Sequence, residues 1–318
     1  MMNSMGLKRK EGRVGAIVFA IVFSFAGCTA TGGKEPAVPD DLPDAELDGA
    51  ISIQKIQVFG THNSYHLLPG TDVIEEWNYE HLPLDQQLDN GIRQFEIDVV
   101  YEPDSGELLV QHIPVLDNKS NCYSFLDCME TLSEWSEAHP EHVPIHVLVE
   151  PRTEIPAWST SLHLDTVDDH ISSVFGDRVW TPAKQQGSHL NLRESVVASG
   201  FPVLEELRGG FIFVLLDGGE PYREYTNNGA SLTNRMMFPL VEPAHEWAAY
   251  FLRDNPFATD ISSLSEMGFL IRTRADAGGV FDSDRFEAAI SGQANALSMD
   301  TAEALAHIDQ SFPFRIID

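Results

Sequence analysis

The chain has 318 residues, of which 43% are hydrophobic, and its formal net charge is -29. This length and apolar content suffice for one large folded domain and argue against global disorder. The charge argues against a nucleic-acid partner, because the chain offers no basic patch to neutralise phosphates. We interpret the acidity as a solvated surface, so an anionic substrate would need a bound cation at its site.

The N-terminus is predicted to be a bacterial lipoprotein signal peptide over residues 1–27. Four basic side chains lie within residues 8–13, and residues 14–25 form an apolar run that is too short to span a bilayer comfortably. Small residues then precede Cys28, the position that such signals lipidate. An ordinary signal peptide is the alternative, since Phe25 is unusual at its position. We therefore expect an exported lipoprotein, anchored to a membrane through Cys28, on the periplasmic or cell-surface face of the envelope.

Residues 28–50 predict a flexible acidic tether, because they are rich in Pro, Gly, Asp and Glu and show no periodicity. The folded domain is predicted over residues 51–318, as a monomer. Two further cysteines, Cys122 and Cys128, lie in this domain. In an exported protein such a pair predicts a disulfide that closes a short loop, with two free thiols as the alternative.

Short apolar runs alternate with helical patterns through the domain. The predicted strands are Ile56–Phe59, Gly91–Val100, Leu108–His112, Ile145–Glu150, Gly210–Asp217, Met236–Leu240, Phe269–Arg274 and Ala294–Met299. The predicted helices are Ile74–Asp89, Phe125–Ala138, Ser161–Phe175, Pro243–Arg253 and Asp284–Ile290. This alternation predicts an α/β fold, a single (β/α)8 TIM barrel that is either regular or distorted. The long gap between the fourth and fifth strands predicts an elaborated loop near the active face.

Polar residues lie at or near the ends of the first four predicted strands. Glu96 and Asp98 are two residues apart in a predicted strand, so their side chains point to the same face. Their carboxylates would repel each other unless they are protonated, bound to a metal ion or paired with a cation. Asn63 and Glu150 would add an amide oxygen and a third carboxylate at the same end. Oxygen donors of these kinds suit Ca²⁺ or Mg²⁺ rather than Zn²⁺.

Two histidines, His62 and His112, come from the ends of the first and third predicted strands. Across a metal-bound phosphate, one could act as general base and the other as general acid. Each polar residue also has a structural alternative, such as a Glu150 that pairs with Arg152 instead of a metal. The placement of all six at one end of a barrel favours a catalytic site over these alternatives.

With these residues in place, the chain resembles the calcium-dependent phosphoinositide-specific phospholipase C superfamily, in particular its bacterial branch. The resemblance runs from about Ile53 to about Met299. The family's two catalytic histidines fall on His62 and His112, and its metal ligands fall on Asn63, Glu96, Asp98 and Glu150. Arg272 resembles the family's late-strand arginine that contacts the head group, so Arg272 and the nearby Arg274 are predicted to bind substrate.

The resemblance implies one Ca²⁺, with Mg²⁺ less favoured, and a membrane phospholipid as substrate. It implies cleavage of phosphatidylinositol, or a related inositol phosphodiester, to diacylglycerol and inositol phosphate. In the implied mechanism the inositol 2-hydroxyl attacks phosphorus, His62 stabilises the phosphoryl group and His112 protonates the leaving oxygen. Glu150 is then a candidate base as well as a ligand. Residues 210–217 contain no lysine, where eukaryotic members bind ring phosphates, so a head group without ring phosphates is favoured.

Two other functions fit part of the pattern. A glycerophosphodiester phosphodiesterase uses a related barrel with two histidines and a divalent metal, but typically has His-Arg where this chain has His62-Asn63. A catalytically inactive surface lipoprotein that binds inositol lipids is the alternative from a different class.

Overall fold

The structure, a computed structural model, describes residues 51–69, 75–307 and 314–317. The predicted signal peptide, the tether and Cys28 lie outside these residues. The strands of the described part are β1 (Ile56–Thr61), β2 (Ile92–Glu102), β3 (Glu107–Val110), β4 (Ile145–Pro151), β5 (Phe211–Leu215), β6 (Met237–Pro239), β7 (Tyr250–Leu252), β8 (Leu270–Arg274), β9 (Ala296–Met299) and β10 (Phe314–Ile316).

Eight of these strands run parallel and lie in the order β6-β5-β4-β2-β1-β9-β8-β7. Within the described ranges no ladder joins β6 to β7, so the sheet curls into a barrel that is nearly closed. This confirms the predicted TIM barrel in its distorted form. In such a barrel all the parallel strands end at one face, and that face carries the loops that form the site.

Two of the assignments made from sequence, one strand and one helix, were wrong. The predicted third barrel strand, Leu108–His112, contains β3, which pairs antiparallel with β2 as a hairpin. The predicted helix Pro243–Arg253 contains β7, which pairs in parallel with β8. Residues 247–251 are all apolar and buried, and periodicity does not distinguish a short buried strand from a short buried helix.

The α-helices of the described part lie between the strands. They are α1 (Leu84–Asp89), α2 (Phe125–Ala138), α3 (Leu164–Phe175), α4 (Pro182–Gln186), α5 (Leu192–Ser199), α6 (Leu204–Leu207), α7 (Glu220–Tyr225), α8 (Ile261–Glu266), α9 (Ser283–Ser291) and α10 (Ala302–Leu305). The predicted helix Ile74–Asp89 was too long. Its regular part begins at Leu84, because Pro83 disfavours helical backbone at the residue before it.

The segment between β4 and β5 is elaborated, as predicted, and contains α3 to α6. Its later part does not lie at the active face. Phe201, just after α5, hydrogen bonds through its carbonyl to Ser52 Oγ (2.8 Å) and through its N–H to Gln54 Oε1 (2.9 Å). Both partners precede β1, so this part of the segment packs at the amino-terminal end of the barrel, opposite the site.

The barrel wall is built from strands that are buried along their length, as expected when helices cover a parallel sheet. All five residues of β5 are buried. Gly60 in β1 is required by close packing, since a Cβ there would lie 2.5 Å from the Gln94 Cβ on the neighbouring β2. No helix in the described residues is long and apolar enough to cross a membrane.

A disulfide joins Cys122 to Cys128 across the start of α2. Ser124 begins this helix with a capping box, in which its side chain accepts from the Asp127 N–H and its own N–H donates to the Asp127 carboxylate. The disulfide therefore pins the loop before α2 to the helix itself.

Replacing both cysteines, as Cys122→Ala/Cys128→Ala, should lower the free energy of unfolding by about 2 kcal/mol, the chain-entropy value for so short a loop. Urea denaturation followed by circular dichroism would measure it. Wild-type protein in reductant should shift in the same direction. An unchanged midpoint in both samples would show that the bond adds nothing to stability.

Candidate active site

The strands β2 and β4 bring three carboxylates together. Asp98 on β2 is in register with Glu150 on β4, and Glu96 lies two residues earlier on β2. Oxygen atoms of Glu96, Asp98 and Glu150 lie within 4.8 Å of one another. The parallel register thus forms the carboxylate cluster that the sequence predicts.

The turn after β1 holds Asn63 beside this cluster. Ser64 fastens the turn to β2, because its N–H donates to the Glu96 carbonyl (2.9 Å) and its Oγ accepts from the Glu96 N–H (2.8 Å). Asn63 has φ +44°, in the left-handed region that asparagine tolerates. Its Nδ2 donates to the Tyr79 hydroxyl (3.0 Å). This bond fixes the amide orientation and leaves Oδ1 buried without a hydrogen-bond partner.

These oxygens fit a calcium ion. Asp98 Oδ1, like Asn63 Oδ1, is buried and has no hydrogen-bond partner, although buried polar atoms in proteins almost always have one. Carboxylate and amide oxygens are the ligands that Ca²⁺ prefers. Asn63, Glu96, Asp98 and Glu150 are the residues that would hold the ion.

The carboxylates of the cluster destabilise one another when no ion compensates them. Burial, followed by the charge of Glu150, raises the pKa of Asp98 well above its ordinary value. Burial and the charge of Glu96 raise the pKa of Glu150 to about 7, although Arg152 acts in the opposite direction. A bound cation would relieve both effects, since it favours the ionised carboxylates.

Arginines pair with the acidic residues around the site. Arg152 donates to Glu150 at 2.9 Å, which is the pairing considered as an alternative from the sequence. Arg272 is 2% exposed and pairs with Glu96 and Asp254. Arg274 pairs with Asp300, the residue after β9. The predicted substrate-binding role of Arg272 and Arg274 stays a prediction, and both are held in ion pairs.

His62 lies between two carboxylates at the end of β1. Its Nδ1 is 2.8 Å from Asp300 Oδ1, and its Nε2 is 3.4 Å from Glu96 Oε1. Burial raises the pKa of the Asp300 carboxyl, but the charge and hydrogen bond of His62, together with Arg274, outweigh burial and lower this pKa to about 2. Because Asp300 is therefore ionised, His62 Nδ1 must carry a proton and donate it.

His112 reaches the same end of the barrel through the β2–β3 hairpin. β2 continues past Asp98 to Glu102, and β3 returns antiparallel until Val110 lies opposite Val99. His112 follows two residues later. Its position at the active face was predicted, but the reason was wrong, since β3 is not a parallel barrel strand.

Asp117 orients His112 from the same turn. Its carboxylate accepts from His112 Nδ1 (2.9 Å) and from Nε2 of the buried His66 (3.0 Å). Burial raises the pKa of Asp117, but the hydrogen bonds from both histidines outweigh burial and lower it to about 2. His66 stacks on Tyr79 at 4.5 Å between ring centroids, and Tyr79 accepts from Asn63. The Tyr79 hydroxyl also lies 3.5 Å from His62 Nδ1, so a chain of contacts connects the two catalytic candidates.

Sequence reasoning assigned no role to four residues of the site: His66, Tyr79, Asp117 and Asp300. Asp300 could have been found, since it directly follows β9 as His62 directly follows β1. Asp117 and Tyr79 lie in loops, where no periodicity indicates which way a side chain points.

A family model described as "Phosphoinositide phospholipase C, Ca2+-dependent" matches residues 51–109 and 107–316, most of the chain. The chain belongs to the Ca²⁺-dependent phosphoinositide phospholipase C family. Both catalytic-histidine candidates and all four candidate metal ligands lie within the matched ranges. The matched family is the one that the motifs resemble, not the glycerophosphodiester phosphodiesterases considered as an alternative.

Solved structures share the fold of this phospholipase C family member. A Ca²⁺-dependent phosphatidylinositol-specific phospholipase C from Streptomyces antibioticus aligns with a TM-score of 0.61 at 20% identity, over 80% of this chain and 96% of that chain. A calcium-dependent phosphoinositol-specific phospholipase C from a Gram-negative Pseudomonas species aligns with a TM-score of 0.61 at 16% identity, over 86% and 97%. A search of curated protein sequences found no match.

Asp98→Asn should weaken Ca²⁺ binding at least tenfold, because it removes a charged ligand from the centre of the cluster. His112→Ala should leave Ca²⁺ affinity within about twofold of wild type, because His112 contacts Asp117, which is not one of the candidate metal ligands. Isothermal titration calorimetry in metal-free buffer measures both. An equal loss of affinity in the two variants would contradict the assignment of metal ligands and catalytic histidines.

Proposed function

We propose that the protein is a calcium-dependent phospholipase C that cleaves phosphatidylinositol, or a closely related inositol phosphodiester, to diacylglycerol and inositol phosphate. The observation that carries this proposal is the pair of buried, unpartnered oxygens, Asn63 Oδ1 and Asp98 Oδ1, at the end of the barrel that also holds two carboxylate-bound histidines. Membership of the family supports the same reaction.

His62 is assigned the role of stabilising the phosphoryl group. Asp300 accepts from Nδ1 and orients the ring, so that Nε2, when it carries a proton, can donate to a phosphoryl oxygen that takes the place of Glu96 as its partner. Arg274 holds the other oxygen of Asp300 and fixes the position of the dyad. Bound Ca²⁺ would supply a Lewis acid that stabilises the charge developing on the phosphoryl oxygens.

Glu150 and His112 are assigned the proton transfers. The inositol 2-hydroxyl attacks phosphorus, its proton passes to the Glu150 carboxylate, and the bond from phosphorus to the diacylglycerol oxygen breaks. His112 gives its Nε2 proton to that oxygen, while Asp117 accepts from Nδ1–H and orients the ring. The immediate products are diacylglycerol and an inositol cyclic phosphate, which water can open.

A head group without ring phosphates is the substrate that best fits the available charges. β5 and its immediate flanks contain no lysine, and all five β5 residues are buried. The late-strand arginines, Arg272 and Arg274, are already paired with carboxylates. Extra ring phosphates would therefore meet an acidic site with few free cations.

A lipid surface as the source of substrate is supported by apolar side chains beside His112. Val115 and Leu116 form the tip of the turn between His112 and Asp117, and they are 80% and 65% exposed. Val115 has φ +75°, which is costly for a β-branched residue. Lys119, one of few lysines in a strongly acidic chain, is exposed two residues beyond the turn and could face lipid phosphates. We call Val115 and Leu116 the apolar tip.

Export and anchoring belong to the same proposal. The Cys122–Cys128 disulfide supports an oxidising compartment such as the periplasm or cell surface. An anchor at Cys28 would keep the enzyme close to its lipid substrate. Cys28 and the tether lie outside the described residues, so this part stays a prediction from the sequence.

The direct test is cleavage of phosphatidylinositol vesicles by the purified protein. We expect diacylglycerol release in Ca²⁺, no release in chelator, little in Mg²⁺, and at least a 100-fold loss in His112→Ala. Thin-layer chromatography identifies the lipid product. Hydrolysis of glycerophosphodiesters with no action on phosphatidylinositol would assign the barrel to the alternative reaction. Ca²⁺ binding without either hydrolysis would favour the lipid-binding alternative.

The apolar tip should matter only when the substrate is in a bilayer. Val115→Ser/Leu116→Ser should lower activity on phosphatidylinositol vesicles about tenfold, because less apolar surface enters the lipid. Activity on a monomeric short-chain phosphatidylinositol should change less than twofold. Leu190→Ser is the matched control, since Leu190 is an apolar residue that is 84% exposed, in the loop between α4 and α5. Equal losses on both substrates would mean that the turn serves His112 rather than the membrane.

A further inference from the structure

An arginine lies among the residues that would bind the metal ion. Arg152 is the first residue after β4, and its side chain is only 11% exposed. Its Nη1 lies 3.0 Å from Asp98 Oδ2 and 2.9 Å from Glu150 Oε1. One nitrogen thus bridges two of the three carboxylates in the cluster, and these are the two that come from adjacent strands in register.

Arg152 differs in this respect from the other arginine of the cluster. Arg272 is 2% exposed and is held at both ends, by Glu96 and by Asp254. It compensates the charge of Glu96 and is fixed in the barrel. The charges of Asp98 and Glu150 depend on Arg152, because it is the cation within the described residues that pairs with either of them.

We propose that Arg152 is an internal counterion of the metal pocket, which compensates Asp98 and Glu150 in the metal-free protein and is displaced from at least one of them when Ca²⁺ binds. A guanidinium and a dication that share the same carboxylates repel each other strongly in a partly buried site. The metal must therefore compete with Arg152. Without Arg152, the buried carboxylates would lack compensation and would destabilise the metal-free fold.

The structure also provides a second partner for the displaced arginine. Glu154 accepts from Arg152 Nη2 (2.5 Å) and from Nε (3.3 Å), and its side chain is half exposed. Arg152 can give up its inner bonds and keep these outer ones. The planar guanidinium, with donors on two sides, allows one side chain to bridge the inner and outer carboxylates. Displacement therefore costs less than it would for an arginine whose bonds are all buried.

The test is Ca²⁺ affinity, measured by calorimetry on the purified protein at fixed ionic strength. Arg152→Gln should bind Ca²⁺ about tenfold more tightly than wild type, because a competing charge is removed. The same variant should melt at a lower temperature than wild type in chelator, and the difference should shrink or reverse in Ca²⁺. The counterion role of Arg152 rests on the Ca²⁺ site of the proposed function. Neither measurement uses a phospholipid, so a failure here can be distinguished from a failure to cleave phosphatidylinositol.

Two variants serve as controls. Arg253→Gln removes the same charge from an arginine that pairs with Asp260, outside the carboxylate cluster, and should change Ca²⁺ affinity less than twofold. Arg152→Lys keeps the charge and should stay within about threefold of wild type. If Arg152→Gln is too unstable to measure in chelator but folds in Ca²⁺, the counterion role is supported. Unchanged or weaker Ca²⁺ binding by a folded Arg152→Gln would overturn it and show that Arg152 positions the ligands instead.

Discussion

Charge compensation in a confined space is the constraint on which this active site depends. The strands β2, β4 and β9 bring Glu96, Asp98, Glu150 and Asp300 to one end of the barrel. Ionised carboxylates this close raise one another's pKa unless cations separate them. Cationic partners compensate these carboxylates: Arg272 and Arg274 on β8, and Arg152 after β4. His62 donates a hydrogen bond to Asp300. The arrangement leaves unpartnered oxygens where a divalent ion fits.

Carboxylates with hydrogen-bonding partners also position both catalytic candidates. His62 is held by Asp300 and His112 by Asp117, and each carboxyl has its pKa lowered to about 2 by the groups that bind it. A carboxylate that stays ionised accepts from one ring nitrogen and thereby fixes the orientation of the imidazole. Asp117 also binds a second histidine, His66, whose Nε2 lies 3.0 Å from both oxygens of the carboxylate. The other ring nitrogen of His66 lies 2.9 Å from the Tyr79 carbonyl oxygen.

The sequence predicted the barrel and the carboxylate cluster because both depend on short-range rules. Alternating side chains place Glu96 and Asp98 on one face of a strand, and parallel strands share one carboxyl end, which brings in Glu150 and Asn63. The assignment of Leu108–His112 as a barrel strand failed because periodicity does not give strand direction. Tyr250–Leu252 was read as helix because a buried run of a few residues has no distinguishing period. Loop residues such as Tyr79 and Asp117 could not be predicted, since their directions depend on tertiary contacts.

The position of β1 has a consequence for how the chain folds. It is the first strand, yet its partners include β9, where Val58 pairs with Ala296, and β10, where Ile56 pairs with Ile316. These contacts join the two ends of the domain, so their formation requires closure of a loop of more than two hundred residues. Folding rates fall as contacts become less local. We therefore expect the barrel wall to be completed late, with β1 exposing an edge until the C-terminal strands arrive.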